Sequence, residues 1–185
     1  MKRFESCNTK IENLFVLRRI PISDERGYLE RMYCPDDLAA ILGDRKIKQI
    51  NRTLTKSKGS LRGLHYQHPP NAELKIVNCI KGTIFDVAVD LRKRSPTFLH
   101  WHAQILSEKN HESLVIPEGF AHGFQTLSCD CELLYFHTEK YTPSLEGGIN
   151  ALDPTLHIDW PLPESIRSQR DLNLPDISEF EGIVL

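Results

Sequence analysis

The sequence predicts an all-β fold, an antiparallel barrel or jelly roll with one short helix and a C-terminal wrapping tail. Three observations carry this. Strand-length runs of apolar and alternating residues arrive about every 8–12 residues, separated by Gly, Pro, Asn and Ser turn signals. A single segment has the pattern of a helix. Beyond Tyr141 the chain turns polar and proline-rich. At 185 residues the chain is expected to be one domain: N-terminal strands and helix over 1–45, a barrel core over 46–140 and the tail over 141–185.

The elements follow in order. Strands are expected at Leu14–Arg19 and Gly27–Met32. The helix is Pro35–Leu42, with Pro and two Asp in its first turn and Gly43 as its stop. Further strands are Lys46–Asn51, Leu61–Tyr66, Leu74–Ile80, Thr83–Leu91, Leu99–Leu106, Ser113–Ile116, Gly119–Leu127 and Cys131–Glu139. Lys58-Gly59-Ser60, Pro69-Pro70-Asn71, Lys81-Gly82, Ser95-Pro96 and Pro117-Glu118-Gly119 supply turns between them. A short turn is expected near Pro163–Arg167.

Strand parity bears on the interior. Along Thr83–Leu91, Phe85, Val87, Val89 and Leu91 share one apolar face. Ile84, Asp86, Ala88 and Asp90 share the other, which suits solvent or a polar cavity. Along Leu74–Ile80, Lys75 shares a face with Val77 and Cys79. Lysine is rarely buried unless paired, so Lys75 is expected in a polar pocket.

Composition narrows the function. With 23 Lys and Arg against 25 Asp and Glu, the net charge is −2, which does not suit a nucleic-acid binder. The opening MKRFESCNTK does not read as a secretory signal, and no apolar run is long enough to span a bilayer. Five cysteines without a disulfide pattern read as reduced thiols, which makes the expected location cytoplasmic.

Four patterns hold groups capable of chemistry: RGLHYQHPP (62–70), Glu73-Leu74-Lys75, PEGFAHGF (117–124), and Leu134-Tyr135 with Tyr141 and Glu146. Pro117-x-Gly119-x-x-His122 fits half of a metal-binding cupin motif. The other half requires two His one residue apart, and His65-x-x-His68 places them on opposite faces of a regular strand. The alternative is acid–base chemistry without metal: His as base, Lys opposite a developing oxyanion, Tyr as acid. His68, His100, His102, His111, His137 and His157 read as surface or packing residues. Asp86 and Asp90 are candidates for groups just behind a pocket, and Arg92-Lys93-Arg94 reads as a solvated turn.

The ordered set of motifs resembles the dTDP-4-dehydrorhamnose 3,5-epimerase family. It comprises Asp24-Glu25-Arg26-Gly27, Gln49-Ile50-Asn51, RGLHYQ, Glu73-Leu74-Lys75, DVAVDLR (86–92), Ser95-Pro96-Thr97, PEGFAHGF, Leu134-Tyr135, Tyr141, Glu146, Asp153-Pro154, Asp159-Trp160-Pro161 and Ser168-Gln169-Arg170-Asp171. The chain departs from common family patterns at Arg52-Thr53, Gln125-Thr126 and Arg170. The resemblance implies a cupin-like barrel acting as a homodimer on a nucleotide-linked 4-keto-6-deoxy sugar, with no cofactor and no metal. It implies His65 as general base, Asp171 as the carboxylate orienting it, Lys75 as the cation facing the enolate oxygen and Tyr135 as the acid on the opposite face. Arg26, Glu30, Gln49, Asn51, Arg62, His122, Tyr141, Glu146 and Arg170 are implied as ligands of sugar, diphosphate and base, some of them given by a partner subunit. Two rival readings stand beside this: a metal-dependent cupin enzyme and a non-catalytic sugar-nucleotide-binding cupin.

Overall fold

Both faces of the strand Thr83–Asp90 are buried, and that fact sets the layering. The structure is a computed structural model and describes residues 2–185. In chain order the elements are β1 (Phe4–Asn8), β2 (Phe15–Arg19), β3 (Ile22–Asp24), β4 (Gly27–Leu29), α1 (Ala39–Leu42), β5 (Gln49–Thr55), β6 (Leu61–Gln67), β7 (Lys75–Lys81), β8 (Thr83–Asp90), β9 (Trp101–Ser107), β10 (Glu112–Ile116), β11 (Phe120–Thr126), β12 (Cys131–His137), β13 (Glu146–Gly148) and α2 (Gln169–Leu172). Six strands form one sheet in the order β1-β2-β10-β7-β12-β5. Five form the other, β13-β6-β11-β8-β9, and β3 pairs with β4 as a separate hairpin. Pairings within both sheets are antiparallel. This is the expected cupin-like jelly roll.

The mixed face of β8 is the inner one. Ile84 and Ala88 join Val77, Cys79, Leu114, Phe120, Phe124 and Leu133 in the core between the sheets. The apolar face, Phe85, Val87 and Val89, points away from that core and is covered by Ile149, Ala151, Leu156, Trp160, Ile177 and Ile183. Trp160 is fixed there by Nε1 donating to the Ala151 carbonyl at 2.8 Å and by an edge contact with Phe85. A third apolar layer places Phe4, Leu38 and Leu42 against Leu17, Ile76, Val115 and Phe136. Because the outer faces are capped by chain, the interior of the roll is free to be partly polar.

Several boundaries differ from the sequence expectation. The helix expected over Pro35–Leu42 is only α1; residues 35–38 form turns, no side chain caps the helix, and Leu38 and Leu42 are held by packing. So short a segment cannot sustain a helix on its own hydrogen bonds. The strand expected at Lys46–Asn51 lies further on as β5, in register with β12 from Thr55↔Cys131 to Gln49↔His137. Gly27–Met32 is a strand only to Leu29, paired with β3, which has three exposed residues and no apolar signal. The edge strand β1 buries only Phe4 fully and so lacks alternation. Residues 163–167 carry no regular structure. The turn falls instead at α2, where the Ser168 side chain accepts from the Asp171 N–H, a capping signal three residues long.

Asp90 also differs from its expected place. Its carboxylate accepts from Arg92 Nη2 at 2.7 Å, Ser95 Oγ at 2.6 Å and Thr97 Oγ1 at 2.7 Å. It organises the turn after β8 and lies outside the cavity that β5, β6, β7, β11 and β12 form. Arg92 of the basic run lies over the Phe120 ring, 4.7 Å from its centroid, so it is only part of a solvated turn.

Candidate active site

The site begins with a break in strand alternation. Across β6 and β11 the register runs His65↔His122 and then Arg62↔Phe124, three residues on β6 against two on β11. The extra residue makes a bulge, and it turns Arg62 and His65 to the same side although a regular strand would oppose them. Gly63 sits in the bulge at φ 110°, and a Cβ there would meet the His122 carbonyl at 2.6 Å and Gly123 Cα at 2.7 Å. Both obstacles are backbone, so Gly63→Ala is expected to destabilise the fold by several kcal/mol or prevent folding. Chemical denaturation of the variant checks this.

The bulge helps to form a cavity of about 370 Å³ between the open ends of the sheets. It is lined by Gln49, Asn51 and Thr53 of β5, Arg62, His65 and Gln67 of β6, Glu73 and Lys75 at the start of β7, His122 and Phe124 of β11, Tyr135 and His137 of β12, and Tyr141 and Glu146 of the following loop. Arg170 closes the rim, with Nη2 2.6 Å from Glu146 Oε1. Of the residues expected from sequence, His65, Lys75, Tyr135, Gln49, Asn51, Arg62, His122, Tyr141 and Glu146 meet here. Asp171 stands behind His65.

Arg26 and Glu30 are not brought to this cavity. Arg26 is exposed on the β3–β4 hairpin and pairs with Asp24. Glu30 accepts from Arg19 Nε at 2.8 Å and lies 2.8 Å from His111 Nδ1, beside the buried Arg19–Asn78–Ser113 cluster.

Two His–carboxylate pairs face each other across the β6–β11 ladder. His65 Nε2 is 2.7 Å from Asp171 Oδ1, with the Gly63 N–H donating to Oδ2 at 3.3 Å. Burial opposes the charge on Asp171; the hydrogen bond and charge of His65, with the Gly63 N–H, outweigh it and hold the carboxyl below its ordinary value. With Nε2 turned to Asp171, Nδ1 is the ring nitrogen left for a substrate. His122 Nε2 is 2.7 Å from Asp86 Oδ1. Asp86 is wholly buried, its Oδ2 has no hydrogen-bond partner among the described residues, and desolvation raises its pKa. Asp86 therefore is a group behind the pocket, as anticipated.

Lys75 is buried, and its Nζ lies 2.9 Å from Glu73 Oε1. Glu73 Oε2 is 2.8 Å from His137 Nδ1. Burial alone would raise the Glu73 pKa, but Lys75 and His137 bring it down to about 2 from an ordinary 4.5. The depressed value means that Glu73 stabilises the fold fully above about pH 4.5 and ceases to do so as pH falls to about 2. Glu73→Gln is thus expected to cost about 3 kcal/mol at neutral pH. That deficit should vanish toward pH 2, as read from denaturation at a series of pH values. Burial, with the Asp86 carboxylate next in effect, pushes the Tyr135 phenol up from its ordinary value, so it stays protonated at neutral pH.

Sequence reasoning placed His137 among the packing residues; the structure puts it in the cavity. Parity carried the signal, because His137 is two residues from Tyr135 on one strand. Gln67 and Thr53 were missed as well. Among the described residues no three His, Cys, Asp or Glu side chains group as a metal site, and no helix is long and apolar enough to cross a membrane.

Known proteins share this sequence pattern and fold. A family model described as dTDP-4-dehydrorhamnose 3,5-epimerase matches residues 8–179. The dTDP-4-dehydrorhamnose 3,5-epimerase of Salmonella typhimurium is 45% identical over 160 residues, covering 84% of this chain and 87% of that protein. The enzyme of the same name from Methanothermobacter thermautotrophicus is 37% identical over 97% of both chains. Among solved structures, the Legionella pneumophila dTDP-6-deoxy-D-glucose-3,5-epimerase in complex with dTDP-4-keto-L-rhamnose superposes with a TM-score of 0.90 at 38% identity, over 95% of this chain and 94% of that one. A 3′-monoepimerase from Streptomyces bikiniensis in complex with dTDP-quinovose gives 0.86 at 31% identity, over 92% and 86%. Sequence and fold agree, and the chain belongs to the dTDP-4-dehydrorhamnose 3,5-epimerase family.

Proposed function

We propose that the protein epimerises a dTDP-linked 4-keto-6-deoxyhexose at carbon 3, carbon 5 or both. The observation that carries this is the convergence of a His65–Asp171 pair, the Lys75 ammonium and the Tyr135 phenol on one cavity. A ketone at carbon 4 acidifies the C–H bonds on both sides of it. His65, with Nδ1 free, takes one of those protons, and Asp171 stabilises the imidazolium that results. Lys75 faces the oxygen that gathers charge in the enolate. Tyr135 delivers a proton to the opposite face of the carbon, which inverts it; His65 then gives its proton to solvent and the Tyr135 phenolate takes one from solvent, which restores both groups. Repetition at the other neighbour of the same ketone inverts the second centre without a further group.

The rest of the cavity suits the nucleotide. Arg62 and Arg170 bring positive charge toward a diphosphate. Tyr141, half exposed at the rim with its hydroxyl donating to Glu146 at 2.6 Å, offers a ring for a base. Arg26 and Glu30 enter this reading through a homodimer in which one protomer's β3–β4 hairpin reaches its partner's cavity. Exposed Ile22, Tyr28 and Leu29 on the hairpin and Ile50 and Leu54 on edge strand β5 support it. Light scattering after gel filtration tests it. The five free cysteines fit work in the cytoplasm, on one unit spanning 1–185.

Incubation with dTDP-4-keto-6-deoxyglucose in deuterated water tests the reaction. Label at carbon 3 or carbon 5 is expected, and the position reports which centres turn over. Binding without exchange would make the protein a sugar-nucleotide carrier instead. Lys75 supplies the positive charge that a metal would otherwise bring to the ketone, so exhaustive chelation is expected to leave turnover unchanged. Loss of activity restored by a transition metal would overturn that.

A further inference from the structure

A continuous run of polar contacts joins the reaction centre to the rim of the cavity. Lys75 Nζ lies 2.9 Å from Glu73 Oε1, and Glu73 Oε2 lies 2.8 Å from His137 Nδ1. His137 Nε2 is 3.4 Å from Asn51 Nδ2, Asn51 Oδ1 accepts from Gln49 Nε2 at 3.2 Å, and Gln49 Oε1 accepts from the Tyr141 N–H at 3.0 Å. From Tyr141 to Glu73 the donor polarity is the same at every step, and Lys75 donates to Glu73 from the other side. The Tyr141 N–H can only donate, so Gln49 must turn its oxygen outward and its NH₂ toward Asn51. Asn51 then must turn its NH₂ toward His137, so His137 Nε2 accepts. A carboxylate can only accept, so His137 Nδ1 carries the proton. Both ends of the run therefore demand one tautomer of one histidine.

We infer that Glu73 and His137 are positioning residues, which hold Lys75 at the ketone and set the orientation of the Asn51 and Gln49 amides through a single neutral tautomer of His137. Lys75 is buried, the Glu73 side chain is nearly so, and His137 lies against Tyr135, ring centroids 5.9 Å apart and near parallel. A proton on Nε2 would set two donors against each other at Asn51. Reversing the Asn51 and Gln49 amides to relieve this would leave the Tyr141 N–H without its acceptor. The run thus makes the sugar end and the nucleotide end of the cavity report on each other. A misplacement of about 1 Å in such a site can cost on the order of 100-fold in rate.

This inference rests on the proposed epimerase reaction for its kinetic consequences, but its tautomer is independent of turnover. Nitrogen-15 histidine correlation spectra of the full-length wild-type protein are expected to show His137 protonated on Nδ1 at neutral pH. Glu73→Gln should mix its tautomers. In steady-state assays with dTDP-4-keto-6-deoxyglucose, Glu73→Gln is expected to lower kcat by about 10- to 100-fold, because the Lys75 ammonium loses its anchor. His137→Phe keeps the packing on Tyr135 and removes both ring nitrogens. It is expected to raise KM by about tenfold with kcat within about threefold, because the two amides lose their fixed orientation. A purely structural role for His137 would not divide KM from kcat. A wild-type His137 protonated on Nε2 would overturn the inference, as would kinetic constants unchanged in both variants. Failure of the wild type to exchange sugar protons would sink the epimerase reading and leave the spectroscopic result to stand or fall by itself.

Discussion

His65→Ala is expected to abolish exchange of the sugar's protons with solvent at carbon 3 and carbon 5 alike. The Nδ1 side of His65 faces the cavity, while Nε2 is held 2.7 Å from Asp171 Oδ1. His122, a second imidazole of the cavity, is likewise held through Nε2 by Asp86, directly across the ladder from His65. The other cavity histidines make the test discriminating: if His122 or His137 could take the proton at one carbon, label would persist there in His65→Ala. Complete loss at both carbons assigns the whole of proton abstraction to His65. A general base of this kind is worth roughly 10²–10⁴ in rate. Asp171→Asn should be milder, since it leaves the imidazole in place and disturbs its tautomer and the stabilisation of its charged form. Exchange at the wild-type rate in His65→Ala would remove His65 as base.

Much of this architecture could be read from the residues, for identifiable reasons. The paired strands from Leu61 to His137 were legible because each has apolar neighbours on at least one face and a turn at each end. Lys75 was legible as a pocket residue because its strand neighbours are apolar. Elements held by contacts rather than by pattern were not: β1 at an edge, the exposed β3–β4 hairpin, and α1, whose single turn is fixed by packing on the six-stranded sheet. The parity of β8 gave the right two faces, but it could not say that the apolar one is covered by the tail and the mixed one lies inside. The coplanar placement of Arg62 and His65 depends on a bulge, which shifts parity by one in a way that no regular alternation reveals. His137 was passed over for a different reason. Parity with Tyr135 points it at the cavity, but its role comes from Glu73, sixty-four positions away in sequence, and parity gives no hint of such a partner.

Tyr135→Phe is expected to separate two observables that the wild-type enzyme couples. The phenol lines the cavity, and burial beside Asp86 raises its pKa, so at neutral pH it holds the proton that an acid must give. Replacement by phenylalanine keeps the ring, its near-parallel stacking on His137 and its edge contact with His122, whose centroid lies 6.1 Å away. Only the hydroxyl is lost. Abstraction by His65 and enolate stabilisation by Lys75 remain in place, and the same imidazole can return a solvent-exchanged proton to the face it was taken from. Deuterium wash-in with retention of configuration should therefore persist near the wild-type rate. Inverted product should fall by about 10²–10⁴-fold, the range for loss of a positioned acid. Following both by proton NMR in one deuterated sample gives the two rates under identical conditions. Inversion at the wild-type rate would take Tyr135 out of the mechanism and leave water or Tyr141 as the acid. Loss of both rates together would mean that the hydroxyl positions the sugar, because a group acting only after the enolate has formed cannot slow its formation.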